Sequence, residues 1–128
     1  MGIASHHVIP NIIPPTNLAA AAGIFIGLNG RTSLGERVGG ILNGIEKISF
    51  YFDVTALSAG TLTLNVDSSI DGQNFTSGGK IASVAITAVG NYRVDYIGAP
   101  VSILQFSWEL TAGDTATVES IGLEGSLI

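Results

Sequence analysis

From Ile45 onward the chain alternates between apolar and polar residues in short runs. IEKISFYFDV places Ile48, Phe50, Phe52 and Val54 on one side and Lys47, Ser49, Tyr51 and Asp53 on the other, the period of a strand with one buried face and one wet face. TLTLNVD repeats the arrangement after a turn at LSAG, with Leu62, Leu64 and Val66 opposed by Thr61, Thr63, Asn65 and Asp67. These two runs are expected to pair as an antiparallel hairpin. IASVAIT and YRVDYI follow, joined by AVGN as a second hairpin, and Tyr92, Val94 and Tyr96 oppose Arg93 and Asp95. ILQFSWEL gathers Leu104, Phe106, Trp108 and Leu110 on one face. After TAGD, the last run slips phase near Ser120 and Gly122, the mark of a bulge. Upstream, Ile24, Ile26 and Leu28 alternate with smaller residues before a Gly-rich loop, NGRTSLGERVGG. About seven short strands separated by Gly, Asn, Asp and Ser turns, with no amphipathic helix, restrict the chain to an all-β antiparallel sandwich or barrel. A jelly-roll-like β-sandwich is expected.

At 128 residues the chain makes one domain. Its beginning follows a different rule. Residues 1–30 contain no Asp, Glu, Lys or Arg, and HHVIPNIIPPTN places prolines where regular ladders and helices do not run through. Residues 1–22 therefore read as an extended arm, and 23–128 as the sandwich. An arm rich in Ile and Val is unlike a polar disordered tail and should lie against something apolar, its own sandwich or a neighbouring subunit. Val8, Ile9, Pro10, Ile12, Ile13 and Pro14 are the expected partner contacts, so deleting residues 1–17 is expected to leave a folded body that has lost its partner.

Charge and composition exclude several functions. The net charge is −5, and the five cations Arg31, Arg37, Lys47, Lys80 and Arg93 are scattered, which argues against a nucleic-acid partner. There is no cysteine, hence no disulfide, thiol nucleophile or cysteine-ligated metal. Charged residues make up 12%, against about 25% in ordinary domains, beside 46% hydrophobic residues. Such a surface is expected to be covered in part by other copies or by a partner, the alternative being exposed faces of Ser, Thr, Asn and Gly. The longest apolar run, LAAAAGIFIGL, falls short of the roughly 20 residues of a membrane-spanning helix. With prolines at 10, 14 and 15 and no basic segment before them, a secretory leader is not expected either, and synthesis in the cytoplasm is.

Catalytic and metal motifs fail residue by residue. Asp67, Ser69, Asp71 and Gly72 match the opening of a calcium loop, with oxygen ligands at positions one, three and five and Gly at six. Position twelve, where a bidentate Glu belongs, is Gly78, so carbonyls and Asn74 would have to complete the shell. The alternative is a turn at residues 70–73, with Gly72 at positive φ and Phe75 tucked onto the core. His6 and His7 are adjacent and would point to opposite sides of an extended chain. Ser58 in ALSAG lacks the first Gly and the strand-to-helix setting of a nucleophile elbow. SGGKI departs from a phosphate loop at Asn74 and Ile81. Asp53, Asp67, Asp95 and Glu109 stand singly among polar neighbours, without the paired spacing of a glycosidase. Neither an enzyme nor a cofactor is expected. Phe106 and Trp108 read as core, whereas Tyr51 and Tyr96 are the candidates for exposed rings.

The span from Ile48 to Leu110 resembles small tailed-phage virion proteins, in which a strand ending in S-x-DG-x-x-[FW] precedes the later strands of a β-sandwich. The matched positions here are Ser69, Asp71, Gly72 and Phe75. The resemblance implies a head decoration or cement protein, or an accessory neck or tail protein, that binds the major capsid protein or other virion subunits. It implies location in the virion, and with the composition it suggests a homo-oligomer, a trimer, with the arm docked on a neighbour. The rival expectation is a carbohydrate- or receptor-binding module of a tail or fibre. That reading would use Tyr51, Tyr96 or Phe75 exposed on a concave face, and calcium at Asp67 and Asp71.

Overall fold

The computed structural model describes residues 6–33, 47–69, 80–97 and 103–126, the side chains of 6–9 and 126 excepted. Asp71, Gly72 and Phe75 of the virion signature lie outside the described residues. The described residues form nine strands: β1 (His6–Ile13), β2 (Thr16–Leu18), β3 (Ala22–Ile24), β4 (Lys47–Leu57), β5 (Leu62–Ser69), β6 (Lys80–Ile86), β7 (Gly90–Ile97), β8 (Ile103–Leu110) and β9 (Ala116–Ser126).

The strands make two antiparallel sheets. One runs β1-β9-β4-β7, with β2 also on the outer side of β9; the other runs β3-β8-β5-β6. In the two orders, β9 and β8 hold the same position, as do β4 and β5, and β7 and β6. The successive strands β4 and β5, β6 and β7, and β8 and β9 thus switch sheets, while β5 and β6 pair within one, the jelly-roll arrangement of a β-sandwich. This corrects the two expected hairpins, β4 with β5 and β6 with β7. Two strands with one apolar face each can sit side by side or face each other, and alternation alone is silent between these. Facing each other, each covers the other.

The apolar positions follow the alternation, but Ser49, Asn65 and Asp67, expected on the wet faces, are buried as well, at 4%, 4% and 6% exposed. Ile48, Phe50, Phe52 and Val54 of β4, and Leu62, Leu64 and Val66 of β5, are each at most 2% exposed. Phe50 meets Phe106 of the opposite sheet edge to face, ring centroids 6.0 Å apart. The phase slip in β9 is a bulge: Asp53 pairs with Ser120 and Val54 with Val118, so Glu119 is extra, and the inward residues Val118 and Ile121 are three apart.

The corners between sheets are tied by side chains. The Thr115 amide donates to Ser58 Oγ at 2.9 Å, and the Thr61 amide to Thr111 Oγ1 at 3.0 Å. Gly60 has φ +66, and a Cβ there would stand 2.3 Å from Asp114 Oδ2, so only glycine fits this corner. Ser58 is a corner fastener linking the β4–β5 and β8–β9 connections.

The segment read as an arm is built into the sandwich. β1 and β2 pair along β9, and β3 then pairs with β8 in the other sheet. Ile12, Ile13 and Leu18 are 5%, 3% and 2% exposed in the common core. The prolines are accommodated because this is an edge. Pro10 sits where β1 bulges: Ile9 pairs with Leu123 but Ile13 with Ile121, and Asn11 takes φ 49. Pro14 and Pro15 separate β1 from β2.

Candidate functional site

Three rungs cross the outer face of the five-stranded sheet. Read from β9 through β4 to β7, they are Ser120, Asp53 and Asn91; then Gly122, Tyr51 and Arg93; then Glu124, Ser49 and Asp95. On the β1 side, Pro10 and Asn11 lie at the bulge and border this face. A groove of about 370 Å³ runs here, lined among others by Asn11, Tyr51, Asp53, Asn91, Ser120 and Glu124, a volume within the range of small-ligand sites. Tyr51 is 39% exposed. Its hydroxyl donates to Glu124 Oε1 at 3.3 Å, one rung away on the neighbouring strand, so the ring reaches across the sheet. Gly122, directly opposite Tyr51, puts no side chain over it.

The third rung is electrostatic. Ser49 Oγ donates to Asp95 Oδ1 at 2.6 Å, Arg93 Nε lies 3.3 Å from the same oxygen, and Lys47 Nζ lies 3.9 Å from Oδ2. The Ser49 hydrogen bond, followed by the Arg93 and Lys47 charges, holds the Asp95 carboxyl below its ordinary range. This contribution to stability is present above the unfolded-state pKa and is lost as pH falls through the folded one.

Of the expected partner contacts, Ile12 and Ile13 face the chain's own core and Pro14 is half-buried. Pro10 is exposed at the groove. Val8 and Ile9 pair with Glu124 and Leu123 through β1, and their side chains, like those of His6 and His7, are outside the described residues. The arm therefore cannot dock Ile12 and Ile13 on a neighbour without emptying its own core. Tyr96 is also corrected: it is half-buried against the core, because it pairs with Ile48 and so shares that residue's inward side. Phe106 is buried, and Trp108 is half-buried, its indole donating to the Ala20 carbonyl at 3.2 Å and its ring 4.8 Å from Phe25, edge to face.

Asp67 and Ser69 lie on β5 at 6% and 8% exposed. Their calcium-loop companions Asp71 and Gly72 fall outside the described residues. Ser107 Oγ donates to Asp67 Oδ2 at 3.2 Å, and beside it Ser83 Oγ donates to Asn65 Oδ1 at 2.9 Å. Burial raises the Asp67 pKa; the Ser107 hydrogen bond and the Lys80 charge oppose this, and Glu109 adds to it. A raised carboxylate pKa favours folding below the unfolded-state pKa, and this contribution is lost as pH rises through the folded one. Asp67→Asn should therefore stabilise the chain more at pH 7 than at pH 3, measured by denaturant unfolding at both. An equal effect at the two pH values would contradict the assignment.

A third feature had no place in the expectations. Ile24, Ile26 and Leu28 are 48%, 55% and 50% exposed, around the edge strand β3. Their alternation was visible in the sequence, but the buried partner of that alternation is Phe25, at 1% exposed, so the large residues face out.

No family model matches the chain, and no curated protein is similar to it. Among solved structures, a subunit of Bacillus endospore appendages, described as disulfide-linked pili, aligns over 100% of this chain and 97% of its own, with TM-score 0.51 and 13% identity. The CBM36-1 domain of a multidomain xylanase from the hindgut metagenome of Trinervitermes trinervoides covers 96% and 98%, with TM-score 0.51 and 6% identity. A protein derived from the SPBc2 prophage covers 92% and 96%, at TM-score 0.45 and 10% identity. The first two establish the β-sandwich fold, which hosts unrelated activities; the third is too slight to argue from.

Proposed function

We propose that the chain is a structural subunit of a phage particle, a decoration or cement protein that binds the major capsid lattice and associates with copies of itself as a trimer. The observation that carries the reading is the apolar edge at β3. Ile24 at the end of β3 and Ile26 and Leu28 just beyond it stand about half exposed in a chain with 12% charged residues, and an apolar edge strand is a template for pairing with another chain. The occupant of that edge is a second copy. β3 ends its sheet, so the side turned away from β8 is open to another strand among the described residues. The resemblance to tailed-phage virion proteins at Ser69, Asp71, Gly72 and Phe75 supports the particle setting. This reading moves the contact from Val8–Pro14 to Ile24, Ile26 and Leu28.

Light scattering on the full chain and on the double variant Ile24→Asp/Ile26→Asp tests the reading. A trimer or larger assembly that becomes monomeric in the variant, with the thermal midpoint nearly unchanged because both positions are exposed, is the expected result. A monomeric wild-type chain at all concentrations, or an assembly indifferent to the double substitution, would sink it. A second reading, a carbohydrate- or receptor-binding module of a tail or fibre, is favoured by the groove at Tyr51. The two are compatible, because the groove and the β3 edge belong to different sheets.

A further inference from the structure

We infer that the groove over Tyr51 is a binding site for an uncharged polysaccharide. The inference deepens the binding-module reading and is independent of the β3 contact. A sugar ring presents an apolar face of C–H groups and an equatorial belt of hydroxyls, so a site for it needs a flat ring surface bordered by hydrogen-bonding groups at the same level. Tyr51 supplies the surface. Its ring is held across the sheet by the hydrogen bond to Glu124 and has Gly122 as its directly paired neighbour, which leaves room above the strand for a sugar to approach. The hydrogen bond to Glu124 favours this ring position before the ligand arrives, lowering the ordering cost of binding slightly.

The border is polar and graded across the sheet. Asp53, Asn91 and Ser120 form the next rung, and Asn11 lies at the β1 bulge on the other side. Carboxylate and amide oxygens accept from sugar hydroxyls, while amide and hydroxyl groups donate to sugar oxygens. The charge on the lining selects against anions. Among the described residues, Asp53 and Glu124 line the groove and no Lys or Arg does; the nearby Arg93 is engaged with Asp95. A uronate or phosphate-bearing polymer would therefore meet like charge at the lining, whereas a neutral polymer would not. The groove is partly open to solvent, which suits a segment of chain better than a single buried sugar.

Affinity electrophoresis of the full chain in gels containing neutral arabinoxylan, neutral mixed-linkage glucan or anionic polygalacturonate tests the inference, with Tyr51→Ala and Tyr51→Phe run alongside. Wild type should be retarded by at least one neutral polymer and not by polygalacturonate. Tyr51→Ala should weaken that binding about tenfold or more, the effect of removing a central aromatic anchor, while Tyr51→Phe, which keeps the ring, retains most of it. Circular dichroism should be the same for all three proteins, since the ring is exposed. No retardation by either neutral polymer overturns the inference, as does binding that survives Tyr51→Ala or a preference for polygalacturonate. None of these results bears on the native mass, so failure here leaves the assembly reading standing, and an assembly failure leaves this one.

Discussion

Deletion of residues 1–17 should abolish cooperative folding, not merely partner binding. The deletion removes Ile12 and Ile13, at 5% and 3% exposed, and each buried isoleucine lost is worth about 2–5 kcal/mol. It also strips β1 and β2 from β9, turning a covered strand into an edge. Against a total stability of about 5–15 kcal/mol for a domain of this kind, the loss should leave no native baseline at 25 °C in a urea titration followed by circular dichroism. A truncated chain with a sharp transition near that of the full chain would show that β1 and β2 are dispensable and would restore the reading of this segment as an arm docked on a neighbour.

The second large effect is expected at the centre of the sandwich. Phe50 is fully buried and its ring meets Phe106 edge to face. Phe50→Ala should cost about 3–5 kcal/mol, because a ring-sized cavity between two sheets tied at their corners cannot collapse completely. Phe106→Ala should cost a similar amount. The double variant should lose less than the sum of the two, by about 1 kcal/mol, the part belonging to the ring pair. Denaturant midpoints of the four proteins give the cycle; strict additivity would mean that the rings do not interact.

Much of the fold was legible because one face of nearly every strand had to be buried. Ile48 to Val54 and Leu62 to Val66 fell where the period placed them, and so did the phase slip in β9, whose extra residue proved to be Glu119. What could not be read was which strand lies beside which. β4 pairs with β9 and β7, partners distant in sequence, and local alternation carries no information about them. The same gap hid the groove: Tyr51 was recognisable as an outward ring, but its setting of Gly122, Asn91 and Asn11 exists only once β1, β9, β4 and β7 are side by side. The N-terminal segment was misjudged for a related reason. Proline punctuation reads as a break in regular structure, yet on an edge strand it only interrupts the ladder, and the adjacent pair Ile12 and Ile13 both turn inward across a bulge. Asp67 and Ser69 read as candidate ligands because their spacing was visible, whereas their burial and the partner Ser107 on β8 were not.

The central claim is that residues 6–18 belong to the chain's own sandwich and that contact between copies is made downstream, at Ile24 to Leu28. Amide hydrogen exchange by mass spectrometry at two protein concentrations, one well below and one well above assembly, separates these. The account predicts that peptides covering 6–18 are protected equally at both concentrations, while a peptide covering 22–28 gains protection only at the higher one. Protection of 6–18 that appears only on assembly would contradict it, placing the N-terminal strands on a neighbour after all.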